Sequence, residues 1–81
     1  MRLIITKPAE KDLAKLDGTT RERIKDVLDK FIAGEQVDIV KLAGINEYRI
    51  RVGDYRVRIT ISKETVTVYA LRILHRREIY R

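Results

Sequence analysis

The chain has 81 residues, 44% of them apolar and 37% charged, with one Pro, four Gly, one His and no Cys, so a single domain over residues 1–81 with one modest core is expected. The lack of cysteine excludes a disulfide framework, a thiolate nucleophile and any Cys-containing zinc site, and a lone His makes no metal cage; neither a metal nor another cofactor is expected. The net charge of +6 is segregated: residues 49–81 hold nine Lys/Arg against three Asp/Glu, whereas residues 1–48 hold nine of each.

No apolar run approaches the roughly 18 residues that a membrane span needs, and the short run at Leu3–Ile5 is followed by polar residues before it could form a signal-peptide core. Cytoplasmic residence without a membrane partner is the expectation. Leu3, Ile4 and Ile5 read as a first strand, closed by Thr6 and by Pro8, a residue suited to the first turn of a helix. Ala9, Leu13 and Leu16 form an apolar stripe at i, i+4 and i+7, placing helix one over about residues 8–16 with Gly18 as its stop. Thr19 and Glu22 have capping-box spacing, and Ile24, Val27, Leu28, Phe31 and Ile32 then repeat at helical period until Gly34. The two helices are expected to form an antiparallel hairpin that covers one face of a sheet. Residues 35–46, which include KLAG at Lys41–Gly44, read as a connector.

From Glu47 the period becomes two, and Gly53-Asp54 between the alternating runs signals a two-residue hairpin. Its register sets Val52 against Tyr55, Ile50 against Val57 and Tyr48 against Ile59 on the core face. On the other face Arg51 opposes Arg56 and Arg49 opposes Arg58. A turn at Lys63-Glu64 then predicts a third strand with Ile61 opposite Val66, Ile59 opposite Val68 and Val57 opposite Ala70, bringing Tyr69 beside Arg58. The fold class is α+β: an N-terminal strand, a helical hairpin, then a mainly antiparallel sheet of three further strands with a basic C-terminal tail from His75.

Like charges opposed across a sheet destabilise it, so four guanidinium groups on one face call for an anion among them. A guanidinium is planar, permanently charged and matched to two phosphate oxygens, which points to a nucleic-acid backbone. The competing reading is a merely solubilising face. Tyr69 and Tyr80 are candidate stacking platforms for unpaired bases. His75 is a natural general acid or base, although a lone His is more often structural.

The order of elements, the segment YRIRVGDYRV (Tyr48–Val57), the preceding KLAG and the terminal HRREIYR resemble the RelE/ParE superfamily of toxin–antitoxin toxins, and within it the RelE-like mRNA endonucleases, over essentially the whole chain. The resemblance implies a RelE-like microbial RNase fold and a toxin that enters the ribosomal A site and cuts the messenger, inhibiting translation. It implies cleavage without metal, by attack of the ribose 2′-hydroxyl on the adjacent phosphate. It also implies a cognate acidic, RelB-like antitoxin that blocks the toxin, and contact with operator DNA only through that antitoxin.

Carried over by position, Arg56 and Arg76 would stabilise the charge that builds on five-coordinate phosphorus. Tyr80 would orient or deprotonate the 2′-hydroxyl, with His75 as competing base or as acid for the leaving 5′ oxygen. Arg49 and Arg51 stand where some members carry lysines; arginine does not release a proton at useful pH, so their role is phosphate binding. Arg58, Arg77, Arg81 and Tyr69 complete the expected RNA surface. Leu71, Ile73 and Leu74 are candidate antitoxin contacts. The alternatives are a ParE-like inhibitor of DNA gyrase and a non-catalytic RNA-binding module.

Overall fold

The computed structural model describes residues 1–79. Its elements in chain order are β1 (Arg2–Ile5), α1 (Lys7–Ala14), α2 (Gly18–Ile32), β2 (Ile39–Lys41), β3 (Tyr48–Val52), β4 (Tyr55–Ser62), β5 (Thr67–His75) and α3 (Arg76–Ile79). The strands form one sheet in the order β1-β5-β4-β3-β2. The β1–β5 pairing is parallel and the other three are antiparallel.

Both longer helices lie on one face of this sheet. Ala9, Leu13, Ile24 and Leu28 bury their side chains against Ile50, Val52, Val57, Ile59, Val68, Ala70 and Ile73. Burying each of the larger aliphatic side chains contributes about 1.5–3 kcal/mol, which makes this layer the main source of stability. Helix α1 rests on β5, while α2 reaches β1 and β3. The link between them is tied by Arg21, whose guanidinium donates to the carbonyls of Leu13 (3.2 Å) and Leu16 (2.8 Å), at and just beyond the end of α1.

The hairpin of β3 and β4 has the predicted register in full, from Tyr48 opposite Ile59 to Val52 opposite Tyr55. Gly53 takes φ +57°, which a first loop position of this kind requires and which disfavours any residue carrying a Cβ.

The structure departs from the sequence reading at four places. Helix α1 ends at Ala14, two residues early, and α2 starts at Gly18 with Asp17 at the capping position, so Thr19 and Glu22 lie inside the helix and form no capping box. The connector contains a strand, β2, that pairs with β3 through Ile39–Ile50, Val40–Arg49 and Lys41–Tyr48. Three residues are too short a run to show a period. The turn between β4 and β5 spans Lys63–Val66 instead of two residues, with Val66 at φ +50°. Ile61 therefore opposes Val68, Ile59 opposes Ala70, and Tyr69 opposes Thr60 rather than lying beside Arg58.

The β4–β5 register then slips once more, between Arg58 and Ile59. Arg58 opposes Arg72 and Ile59 opposes Ala70, so Leu71 is the extra residue of a β-bulge. The bulge keeps the faces consistent. Strict alternation after Ala70 would turn Arg72 inward, whereas the extra residue puts Ile73 in the core and Arg72 on the other side. Ile73, expected as an antitoxin contact, is thus a core residue.

Because β1 stops at Ile5, the edge of β5 beyond Ala70 has no strand beside it, and α1 supplies the missing partners. The Thr6 hydroxyl lies 2.9 Å from the Ala70 carbonyl and 3.1 Å from that of Leu71, and its oxygen also accepts from the Ala9 N–H at the start of α1. The Asp12 carboxylate accepts the Ile73 N–H (2.9 Å) and two bonds from the Arg72 guanidinium (2.8 and 3.2 Å).

Candidate nucleic-acid interface

The sheet face opposite the helices carries the arginines. Cross-strand pairing puts Arg49, Arg58 and Arg72 in one row across β3, β4 and β5, and Arg51 opposite Arg56 in the next. Arg72 was not foreseen in this row, because finding it depends on the bulge. Like charges at such spacing repel, and the protein relieves part of this repulsion with its own carboxylates.

Glu47, the residue before β3, grips Arg58 through both oxygens at 2.7 and 2.8 Å. This paired geometry is the strong form of the interaction. The bond to Arg58 is the main reason that the Glu47 carboxyl is held below its usual range; the charges of Arg58 and Arg49 add to it and outweigh the opposing effect of burial. Asp12 acts likewise on Arg72: burial pushes its carboxyl up, but the bonds from Arg72 and Ile73 and the charges of Arg72 and Lys15 bring it below its ordinary value. Asp38 meets Arg51 at 2.9 Å, with both side chains more than half exposed. Neither Asp38 nor Glu47 was identified from the sequence as part of this face; an acidic residue within the connector and another directly after it, next to a basic strand, were the available signal.

Two arginines of the square remain without a carboxylate among the described residues. Arg49 has a buried Nε with no hydrogen-bond partner. Arg56 turns toward the hairpin and donates to the carbonyls of Gly53 (3.0 Å) and Tyr55 (2.9 Å). These two line a cleft of about 220 Å³ together with Arg51, Asp38, Val40 and Leu42. Its floor is β3, and one wall is the edge strand β2. The cleft presents more positive than negative charge to an anion, and its guanidinium groups are held by a rigid sheet.

The tail meets this face at the hairpin turn. The Arg76 N–H donates to the Asp54 carbonyl (2.7 Å), and its guanidinium lies 3.7 Å from the Asp54 carboxylate. Arg56 and Arg76 are therefore both attached to the Gly53-Asp54 turn. Arg77, on α3, is exposed, and its N–H donates to His75 Nδ1 (3.2 Å).

The structure does not bring His75 onto the arginine face. It pairs with Tyr55 at the end of the sheet, and the two rings meet edge to face with centroids 5.3 Å apart; Tyr55 packs against the core side. Tyr69 is on the arginine face but opposite Thr60, toward the end of the sheet away from the tail. Tyr80 and Arg81 lie outside the described residues. No helix among those residues is long and apolar enough to cross a membrane.

The comparisons bear on this arrangement directly. Toxin RelE3 of Methanocaldococcus jannaschii is 36% identical in an alignment that covers 99% of this chain and 96% of RelE3. The crystal structure of a RelB–RelE antitoxin–toxin complex from Methanococcus jannaschii superposes with a TM-score of 0.78 at 35% identity, covering 95% of this chain and 94% of that one. The isolated RelE toxin of E. coli superposes with a TM-score of 0.79 at 27% identity, covering 98% of this chain and 89% of that one. Residues 3–80 match the family model described as the ParE toxin of the type II toxin–antitoxin system parDE. A helix-covered sheet whose open face is packed with arginine, joined over nearly its whole length to such relatives, leaves a single assignment: the chain belongs to the ParE toxin family of type II toxin–antitoxin systems.

Proposed function

We propose that this protein is the toxin of a toxin–antitoxin pair and inhibits translation as a ribosome-dependent mRNA endonuclease. The observation that carries this reading is the arginine face itself: Arg49, Arg51 and Arg56 line one cleft on a sheet side that the helices leave open. Likeness to RelE toxins supports the same reading, as does the RelB antitoxin bound in the M. jannaschii complex. The partner we assign is an acidic antitoxin that neutralises this face; operator DNA is contacted only through it.

In the proposed reaction the ribose 2′-oxygen attacks the adjacent phosphorus and the bond to the 5′ oxygen breaks, leaving a cyclic phosphate and a free 5′-hydroxyl. The attacking hydroxyl gives its proton to a base, and the leaving 5′ oxygen takes one from water. Arg49 and Arg51 bind the phosphate. Arg56 and Arg76, both tied to the Gly53-Asp54 turn, stabilise the charge that develops in the transition state. Tyr80, as its phenolate, takes the proton from the 2′-hydroxyl. Arg58 and Arg77 extend the backbone-binding surface, and Tyr69 and Arg81 contribute further RNA contacts. His75, with its Nδ1 engaged by the Arg77 N–H and its ring against Tyr55, is better suited to fixing the start of the tail than to proton transfer.

The test is controlled expression in a bacterial host, with primer extension on abundant messengers. Growth arrest with cuts at A-site codons is expected, and Arg56→Ala and Arg76→Ala are each expected to lower cleavage by about 10²–10³-fold, the effect of removing one donor to a developing oxyanion. The ParE description of the matched family keeps gyrase inhibition as the second reading. Intact messengers together with loss of plasmid supercoiling would replace the nuclease assignment by that one.

A further inference from the structure

The tail helix α3 is four residues long, and a helix this short depends on the bonds at its ends and on the contacts around it. Its start is closed from two directions. The Nδ1 atom of His75, the last residue of β5, accepts the Arg77 N–H at 3.2 Å, and the Glu78 carboxylate accepts the His75 N–H at 3.1 Å. This is the reciprocal arrangement of a capping box, with an imidazole nitrogen where a serine or threonine hydroxyl ordinarily stands. The His75 ring is itself fixed, edge to face on Tyr55 of β4. Between the two capping bonds lies Arg76, whose own N–H reaches the Asp54 carbonyl at 2.7 Å. The cap therefore sets the point from which the Arg76 guanidinium extends.

We propose that His75 and Glu78 are positioning residues for Arg76: their reciprocal cap holds α3 at the Gly53-Asp54 turn, and a proton taken up by the His75 imidazole releases it. The inference rests on the nuclease reading above and deepens it. A neutral imidazole has one nitrogen that donates and one that accepts, and the cap uses the accepting one. In the protonated ring both nitrogens donate, so the Arg77 N–H loses its partner. The added charge also stands at the start of a helix, the end that disfavours cations. The charged groups at this end of the sheet work in the same direction: Arg56 of β4, Arg23 of α2 against Gly53, and Arg76 and Arg77 of α3 outnumber Asp54 of the turn and Glu78, while β4 also presents the Tyr55 ring. Imidazole is the side chain that ordinarily changes charge between about pH 5 and 8. The cap is thus present on the alkaline side of that range and lost as pH falls.

The experiment uses the full chain with bacterial ribosomes programmed with an end-labelled messenger, and measures single-turnover cleavage from about pH 8 down to about pH 5.5, the range in which imidazole titrates. At the alkaline end His75→Ala should lower the rate by about fivefold, the worth of one capping side chain, and His75→Asn, which caps through its carbonyl oxygen at any pH, should stay within about twofold of the parent. Titration of the Tyr80 base slows every variant alike in acid, so the ratio of the parent's rate to that of His75→Asn isolates the imidazole. That ratio should fall by about fivefold between the two ends of the range. Glu78→Gln, which keeps the accepting oxygen, should retain the parental rate, whereas Glu78→Ala should show the loss. Hydrogen exchange at the Arg77 amide gives a readout apart from catalysis: its protection should disappear in acid in the parent and persist in His75→Asn. A constant ratio with Arg77 equally protected throughout would overturn the cap and leave the nuclease reading standing. Loss of cleavage by His75→Asn at every pH would also overturn it, by making His75 a proton-transfer group. No cleavage by the folded parent at any pH would overturn the nuclease reading and the positioning role with it.

Discussion

Replacing Asp12 by Ala removes three hydrogen bonds at once, because one carboxylate serves both the Arg72 guanidinium and the Ile73 N–H. Leaving a buried N–H without a partner costs about 1–3 kcal/mol, and a bond to a charged group is worth about 1.5–3 kcal/mol. Arg72 is 42% exposed and recruits water when released, so its share belongs at the low end. A loss of about 3 kcal/mol is expected, equivalent to a fall of about 15 °C in Tm for a domain of this size. Asp12→Asn keeps an oxygen for Ile73 and should lose about half as much. The contribution also depends on pH. The folded carboxyl sits below its ordinary value of 3.8, so its stabilisation is fully present above about pH 4 and disappears as pH falls through the lowered value. Urea titrations of the three proteins at pH 7 and at stepwise lower pH measure this. A loss under about 1 kcal/mol for Asp12→Ala, or a gap between the parent and Asp12→Asn that does not narrow in acid, would refute the account of how the β5 bulge is held.

Glu47→Gln releases Arg58 and adds one positive charge to the open face. Single-stranded RNA should bind more tightly at low salt, with the slope of log K against log salt steeper by up to about 0.7, one extra phosphate contact; an unchanged slope would show that Arg58 is not available to RNA. Val66→Gly relieves a β-branched residue at φ +50° on an exposed turn and should raise stability by about 1 kcal/mol in thermal unfolding. Gly53→Ala should lower it by about 1 kcal/mol, because φ +57° disfavours alanine; the new Cβ meets only the mobile end of Arg23, at 3.0 Å. Were Gly53→Ala neutral by the same measurement, the strain assigned to that turn would be wrong.

The features legible in the residues were those that neighbours along the chain dictate. The β3–β4 hairpin is closed by two residues, so turn chemistry and alternation together leave one register and place Arg49, Arg51, Arg56 and Arg58 on one face. The apolar spacing from Ile24 to Ile32 specifies α2 in the same local way. Resemblance of the basic strand and tail to known toxins pointed to the family that residues 3–80 match.

Other features exist only because distant segments meet. The parallel pairing of β1 with β5 joins residues more than sixty positions apart, and no local pattern encodes it. The bulge at Leu71 depends on Asp12 and Thr6 reaching the edge that β1 leaves open, and that bulge brings Arg72 into line with Arg58 and Arg49. The assignment of Glu47 to Arg58 and Asp38 to Arg51 likewise follows from the path of residues 35–47 past the sheet edge. Local alternation sets which face a side chain occupies, but the partner it finds there depends on chain closure over long separations, where packing and unsatisfied backbone groups choose among registers that a short window cannot distinguish.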